Sequence, residues 1–362
     1  MKKIIAICLL LAFVRQDIVA QSPRVDISGS QLRKITSSII AGQEYDLHIM
    51  LPGGYANSSK LYPVVYLMDS QWDFPLVTAL YGQQYYDGFI PQLIIVGVTW
   101  GGKNPNPDSL RARDYTPTNV RGTPQSGGAD KFLSFMKEEL FPFIEKNYRA
   151  DKNDRTLMGC SLGGLFTMYA LFAQPGMFQR YVATSPAFMW DNNILYQFEK
   201  KYSSNKTNPP AKLFACVGGV ERSVPGFQKL SQYLTDQHYS ALQIESRVLE
   251  NTGHSGTKGE GYARGLQYVF KRPSLQLNDL VLEKFRGKYQ LPNGNTAEIK
   301  TENNQLVLYT SPNDKTPLFA ASENEFYSTA QFLNITFKSD DNKNITSADV
   351  ETFGGTMKVK KL

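Results

Sequence analysis

Apolar runs of five or six residues punctuate the first 270 positions: Pro63 to Met68, Leu93 to Val98, Thr156 to Cys160, Tyr181 to Ser185 and Lys212 to Val217. Uninterrupted runs of that length suit strands buried on both faces, as in a parallel sheet covered by helices. Between them, Phe132, Phe135, Met136, Leu140, Phe143 and Ile144 return at helical spacing and predict an amphipathic stretch ending near Tyr148. Strand and helix in alternation make a βαβ pattern, so a doubly wound, mostly parallel α/β sheet is expected. Upstream, Tyr45, Leu47, Ile49 and Leu51 alternate with Asp46, His48 and Met50, the period of a half-buried antiparallel strand. The sheet is therefore predicted to open with a hairpin.

After Lys271-Arg272-Pro273-Ser274 the texture changes. Short alternations such as Leu333, Ile335 and Phe337 lie between turn clusters Pro292-Asn293-Gly294-Asn295, Glu302-Asn303-Asn304 and Asp340-Asp341-Asn342-Lys343-Asn344. Closely spaced hairpin signals of this kind predict a small antiparallel, barrel-like β domain over 279–362, following an α/β domain over 21–274.

Composition narrows the function. The chain has 362 residues, 41% hydrophobic and 20% charged, which excludes a disordered polypeptide. Its net charge of +6 is dispersed, with no polybasic tract, so no nucleic-acid partner is expected. Lys2 and Lys3, the apolar run Ile4 to Val14 and the small Ala20 before Gln21 read as a Sec export signal over residues 1–20. That run falls well short of the roughly 20 residues that span a bilayer. A secreted or periplasmic bacterial protein without a stable membrane span is expected. Cys8 lies in the signal, and Cys160 and Cys216 with three scattered histidines are too few for a disulfide framework or a zinc cluster. Neither a metal nor an organic cofactor is expected.

The sharpest chemical signal is Gly159-Cys160-Ser161-Leu162-Gly163, a G-x-S-x-G directly after an apolar strand and directly before a helical run. In that context the pattern reads as a nucleophile elbow, with the serine held in a strained turn at a helix N-terminus. A serine nucleophile needs a base that follows it in the chain. His254, in the Gly-rich loop Asn251-Thr252-Gly253-His254-Ser255-Gly256, is the candidate. His238 reads instead as a solvated residue at a helix exit, and His48 precedes the serine on the hairpin. The carboxylate partner is sought between Ser161 and His254: Glu221, just after the strand Lys212 to Val217, is first choice, with Asp236 and Glu250 as competitors. Oxyanion donors are expected from the amides of Leu162 and of Gln71, in the loop after the Pro63 to Met68 strand.

Several segments together resemble the esterase branch of the α/β-hydrolase superfamily, which holds siderophore esterases, feruloyl and acetylxylan esterases, S-formylglutathione hydrolases and mycolyltransferases. They are Tyr62-Pro63-Val64-Val65-Tyr66-Leu67-Met68-Asp69, Arg111-Ala112-Arg113-Asp114-Tyr115-Thr116-Pro117-Thr118, Glu138-Glu139-Leu140-Phe141-Pro142-Phe143-Ile144, the elbow with Gly164 and Leu165, and Ser185-Pro186. The resemblance implies Ser161 as nucleophile, His254 as base and an acid at the Glu221 position. It also implies that Arg113 or Arg111 borders the site, meeting either substrate or Asp114. Asp69-Ser70 stands where relatives carry Asp-Gly, which leaves the second oxyanion donor open. The last 80 or so residues resemble, more loosely, small lipocalin-like domains appended to bacterial serine hydrolases.

The expected function is a secreted serine carboxylester hydrolase working through an acyl-enzyme. Its substrate would be a small-molecule or oligosaccharide ester, either a siderophore ester or a feruloylated or acetylated plant polysaccharide. Trp72, Trp100, Trp190, Tyr85 and Tyr86 are candidate aromatic surface for it. An acyltransferase with the same triad and a noncatalytic glycan-binding protein are the rivals.

Overall fold

The computed structural model describes residues 26–353 and 355–362; the export signal read at 1–20 lies outside them. Eight strands form the first sheet: β1 (Ser30–Thr36), β2 (Glu44–Met50), β3 (Tyr62–Leu67), β4 (Ile94–Trp100), β5 (Ala150–Cys160), β6 (Arg180–Thr184), β7 (Ala211–Gly218) and β8 (Leu242–Leu249). Their order is β1-β2-β4-β3-β5-β6-β7-β8. β1 and β2 are the predicted hairpin, β2 joins β4 antiparallel, and every pairing from β4 onward is parallel.

Among the described residues the α-helices are α1 (Ser70–Tyr86), α2 (Pro107–Tyr115), α3 (Ala129–Phe135), α4 (Phe141–Asn147), α5 (Leu162–Ala173), the short α6 (Trp190–Asn193), α7 (Leu195–Ser204), α8 (Val224–Asp236), α9 (Thr257–Val269) and α10 (Asp279–Glu283). A single π turn over Met136–Leu140 joins α3 to α4, so the predicted amphipathic stretch is one continuous helical run. The two-residue period of the strands sorts their side chains onto two faces. Val64, Tyr66, Val96 and Val98 join Phe132, Phe135, Leu165 and Phe166 in one apolar cluster. Val65, Leu67, Ile95 and Val182 join Phe74, Val77, Tyr262 and Leu266, from α1 and α9, in the other. All seven residues of β4 are buried, which accounts for the unbroken apolar runs of the sequence. Among the described residues, no helix is long and apolar enough to cross a membrane.

The second unit is a closed antiparallel barrel of β9 (Gly287–Gln290), β10 (Thr296–Glu302), β11 (Gln305–Ser311), β12 (Asp314–Ala320), β13 (Glu325–Ser328), β14 (Leu333–Ser339), β15 (Ile345–Thr352) and β16 (Gly355–Lys361), sealed by β16 pairing with β9. Alternate residues Ile299, Leu306, Leu318, Ile335, Phe337 and Val359 fill it. Closure leaves no open sheet edge.

The barrel meets the α/β unit at the C-terminal end of α1. Phe332 inserts beside Tyr85, ring centroids 4.5 Å apart, and Phe353 packs on both Tyr85 and Tyr86. Arg272 lies over the ring of Tyr327, 3.8 Å from its centroid, and Lys60 pairs with Glu351. A 17-residue helix is about 25 Å long, so this seam is at the end of the sheet opposite the N-terminus of α1. Gly88 is its tightest point. Its φ is +76, and a Cβ there would lie 2.8 Å from the Gln331 carbonyl oxygen and 2.9 Å from that of Ser328. Gly88→Ala is therefore expected to cost about 2 kcal/mol or more and to expose the 271–278 connection to protease. Urea unfolding and limited proteolysis check this; an unchanged midpoint and cleavage rate would contradict a tight seam.

Candidate active site

β5 ends at Cys160 and α5 begins at Leu162, so Ser161 alone makes the turn between them. Its backbone is at φ 60, ψ −117, a conformation that costs on the order of 1–3 kcal/mol in a non-glycine residue. Packing and hydrogen bonds hold it there. A Cβ on Gly159 would lie 2.6 Å from the Gly163 carbonyl carbon, and one on Gly164 would lie 3.0 Å from both Pro186 Cα and the Thr184 oxygen. The Ser161 N–H donates to the Thr184 carbonyl (3.1 Å), and the Ser161 carbonyl accepts from Leu165 (2.9 Å) and Ala187 (3.0 Å). Gly159 and Gly164 thus let backbone approach backbone, while Gly163 leaves room for the side chains of Asp69 and Met68.

Glu221 follows β7 and His254 follows β8, two parallel neighbours, and their turns converge. His254 Nδ1 lies 2.8 Å from Glu221 Oε2, with the imidazole half exposed. Glu221 Oε1 accepts from Ser185 Oγ (2.5 Å) and the Gly218 N–H (2.8 Å). Burial by itself would raise this carboxyl, but the hydrogen bonds from Ser185, His254 and Gly218 outweigh it and hold the group below its ordinary value. Of the competing acids, Asp236 ends α8 and accepts from Gln232, and Glu250 is exposed in the turn after β8. Among the described residues it is Glu221 that meets His254. His238 sits in a left-handed turn after α8, φ 46, away from this cluster. His48 places Nδ1 2.6 Å from Ser70 Oγ, and burial pushes its imidazole downward.

The second helix N-terminus comes from the turn after β3. Asp69 is left-handed, φ 54, and its carbonyl accepts from both Trp72 (3.0 Å) and Asp73 (3.2 Å). The N–H groups of Ser70 and Gln71, like that of Leu162 on α5, occupy first turns where a helix has no carbonyl to offer them. Since β3 and β5 are paired in parallel, α1 and α5 present these donors at the same end of the sheet. Ser70, which stands in place of the usual glycine, fits because Gly97 on β4 leaves its space empty; a Cβ there would overlap the serine side chain.

Arg111 and Arg113, expected to meet either substrate or Asp114, are both engaged with internal carboxylates. Arg111 grips buried Asp69 with Nε at 3.1 Å and Nη2 at 2.7 Å. Arg113 pairs with Asp114, which also accepts from Tyr45 (2.8 Å) and Trp100 Nε1 (2.7 Å). Of the candidate aromatic residues, Trp72 stands at the site, 50% exposed, with Arg111 5.7 Å from its ring centroid. Tyr85 and Tyr86 are instead at the barrel seam, and Trp100 is in the core.

Some neighbours of the site carried no readable signal. Asp73, in the first turn of α1, is buried against Lys258 Nζ (2.6 Å) and Tyr262 Oη (2.7 Å) of α9. This ties the helix that carries Gln71 to the helix that follows the His254 loop. Nothing in the spacing of Asp73 distinguishes it from an exposed capping acid. Ser185 is visible only as half of Ser185-Pro186. Cys160 and Cys216 are buried and unpaired, and burial raises the Cys160 thiol and pushes the Cys216 thiol up to about 12.

Against known proteins, residues 37–251 match the family described as "Putative esterase", and residues 271–361 match a domain family of unknown function. The ferri-bacillibactin esterase BesA of Bacillus subtilis is 33% identical over 211 residues, covering 54% of this chain and 72% of that protein. A siderophore enterobactin esterase of Emericella nidulans is 37% identical over 136 residues, 36% of this chain and 43% of that one. Among solved structures, the BES protein from Bacillus cereus superimposes with a TM-score of 0.64 at 28% identity, covering 69% of this chain and 99% of its own. An IroE-like serine hydrolase from Shewanella oneidensis gives 0.60 at 27%, covering 67% and 80%. The strand-elbow-helix core, its sheet order and these matches agree: the chain belongs to the esterase family of α/β-hydrolases and is a carboxylic ester hydrolase carrying a C-terminal eight-stranded β-barrel.

Proposed function

We propose that the protein is an exported serine esterase that hydrolyses siderophore esters through Ser161, His254 and Glu221. The observation that carries the chemistry is the carboxylate-imidazole couple of Glu221 and His254 at 2.8 Å, in a sheet whose elbow holds Ser161 in a strained turn. With Nδ1–H donated to Glu221, His254 Nε2 is the free base. It takes the proton of Ser161 Oγ as that oxygen attacks the ester carbonyl. The Leu162 and Gln71 amides receive the developing oxyanion, reinforced by the N-termini of α5 and α1. The imidazolium returns its proton to the departing alkoxide, and a water activated by the same nitrogen then hydrolyses the acyl-enzyme. Glu221 stays ionised throughout, as its lowered pKa favours.

The substrate class rests on the relatives, one named a ferri-bacillibactin esterase and another a siderophore enterobactin esterase. Exposed Trp72 beside the elbow offers an aromatic face suited to a catecholate ring. Export rests on the leader at residues 1–20. Feruloylated and acetylated saccharides are the competing substrates, and transfer to an acceptor alcohol the competing reaction.

Fluorophosphonate is expected to label Ser161, and Ser161→Ala to lower kcat/KM for p-nitrophenyl esters by about 10⁴-fold or more. Absence of both labelling and turnover would overturn the reading and favour a noncatalytic binder. Glu221→Gln should cost about 10²- to 10⁴-fold in kcat, whereas Glu250→Gln and Asp236→Asn should stay within about twofold of the parent. Kinetics of the three variants decide the acid. In a panel of catecholate lactones, feruloylated and acetylated saccharides, kcat/KM should be highest for the lactones. Product analysis with added glycerol or glucose should show free acid rather than a transferred acyl group.

A further inference from the structure

Ser185 has a backbone that needs explaining. It follows β6 at φ 39, left-handed in a residue that is not glycine, and it is buried. Its N–H nonetheless continues the β6-β7 ladder, donating to the Cys216 carbonyl at 2.7 Å. The residues on either side of it hold the nucleophile. Thr184 accepts the Ser161 N–H, Ala187 donates to the Ser161 carbonyl, and Pro186 packs where a side chain on Gly164 would go. From the same turn the Ser185 hydroxyl reaches Glu221 Oε1 at 2.5 Å and Thr257 Oγ1 at 3.0 Å. Thr257 Oγ1 in turn donates to the His254 carbonyl at 2.7 Å.

Hydrogen counting assigns the roles. Each hydroxyl has one proton, and a carboxylate or carbonyl can only accept. Ser185 therefore donates to Glu221 and Thr257 donates to His254, leaving the two hydroxyl oxygens in contact without a proton of their own. With Ser185 and the Gly218 N–H both on Oε1, the other oxygen, Oε2, is the one turned to His254 Nδ1. One short turn thus touches the backbone of the serine, the side chain of the acid and, through Thr257, the loop of the base.

We propose that Ser185 is a positioning residue for ester hydrolysis, fixing the orientation of the Glu221 carboxylate and registering the acid and base loops against the nucleophile turn. This rests on the triad proposed above. Ser185→Ala removes the hydroxyl and keeps the side-chain volume close. Ser185→Gly also removes it but relieves the left-handed backbone, so it carries the test if the alanine variant folds poorly. Both should lower kcat for p-nitrophenyl acetate by about 10- to 100-fold, the worth of a hydrogen bond to a charged group, with KM within about twofold. Thermal unfolding should show Ser185→Gly no less stable than Ser185→Ala. In a Glu221→Ala background, either substitution should cost about twofold or less, because the group it orients is gone. Parent-like kcat in both single variants, or the same loss with and without Glu221, would overturn the proposal. If Glu221→Ala itself leaves kcat intact, the acid assignment falls, and this inference with it; if Glu221→Ala costs activity and Ser185 does not, this inference alone falls.

Discussion

The unfavourable backbone of Ser161 is the constraint on which the rest of this structure turns. A serine at φ 60, ψ −117 persists only if its surroundings over-determine it. Here they do so from two sides. Glycines at 159 and 164 bring α5 against the end of β5 and against the turn after β6, and backbone hydrogen bonds with Thr184 and Ala187 close on the serine's own amide and carbonyl. Each is a contact of main chain with main chain, so no side-chain repacking could substitute for it.

Around that point the parallel sheet does the positioning. Turns after β3, β5, β6, β7 and β8 all emerge at one end, because parallel strands share a direction. Helix N-termini, the elbow serine, Glu221 and His254 are brought together by this common polarity. Buried ion pairs then lock the helices to one another: Arg111 to Asp69 beside the elbow, and Lys258 with Tyr262 to Asp73 between α9 and α1. Breaking one partner would leave an uncompensated buried charge, so these pairs set geometry as much as stability.

The barrel lies at the other end of the same helix. Its contacts are with Tyr85, Tyr86, Gly88 and Lys60, about one α1 length from the elbow. It closes on its own core and adds Phe332 to the apolar cluster under α1 and α9. The site end of the sheet is therefore formed by the α/β unit, with the barrel bracing the end opposite.

Local chemistry made the architecture readable. Buried parallel strands must be continuously apolar, half-buried hairpins must alternate, and an elbow needs small residues about its serine, so periodicity and one five-residue motif were enough to predict the sheet, the opening hairpin, the β appendage and Ser161. His254 stood out as the candidate base because so few histidines compete. What periodicity could not reveal was how charged residues pair across the fold. For Arg111 and Arg113 the sequence left substrate and Asp114 as alternative partners, and the packed structure turns both onto buried carboxylates, Arg113 onto Asp114 and Arg111 onto Asp69. Asp73, Lys258, Ser185 and Thr257 likewise belong to different turns, and nothing local marks them. Which of Glu221, Asp236 and Glu250 meets His254 was also a tertiary decision, since chain order allows all three and a 2.8 Å hydrogen bond selects one. Sequence by itself determined the elements and the strand-elbow-helix motif at Ser161, because these follow from local steric and hydrophobic rules; the partners of each charge were decided only when distant turns met at one end of the sheet.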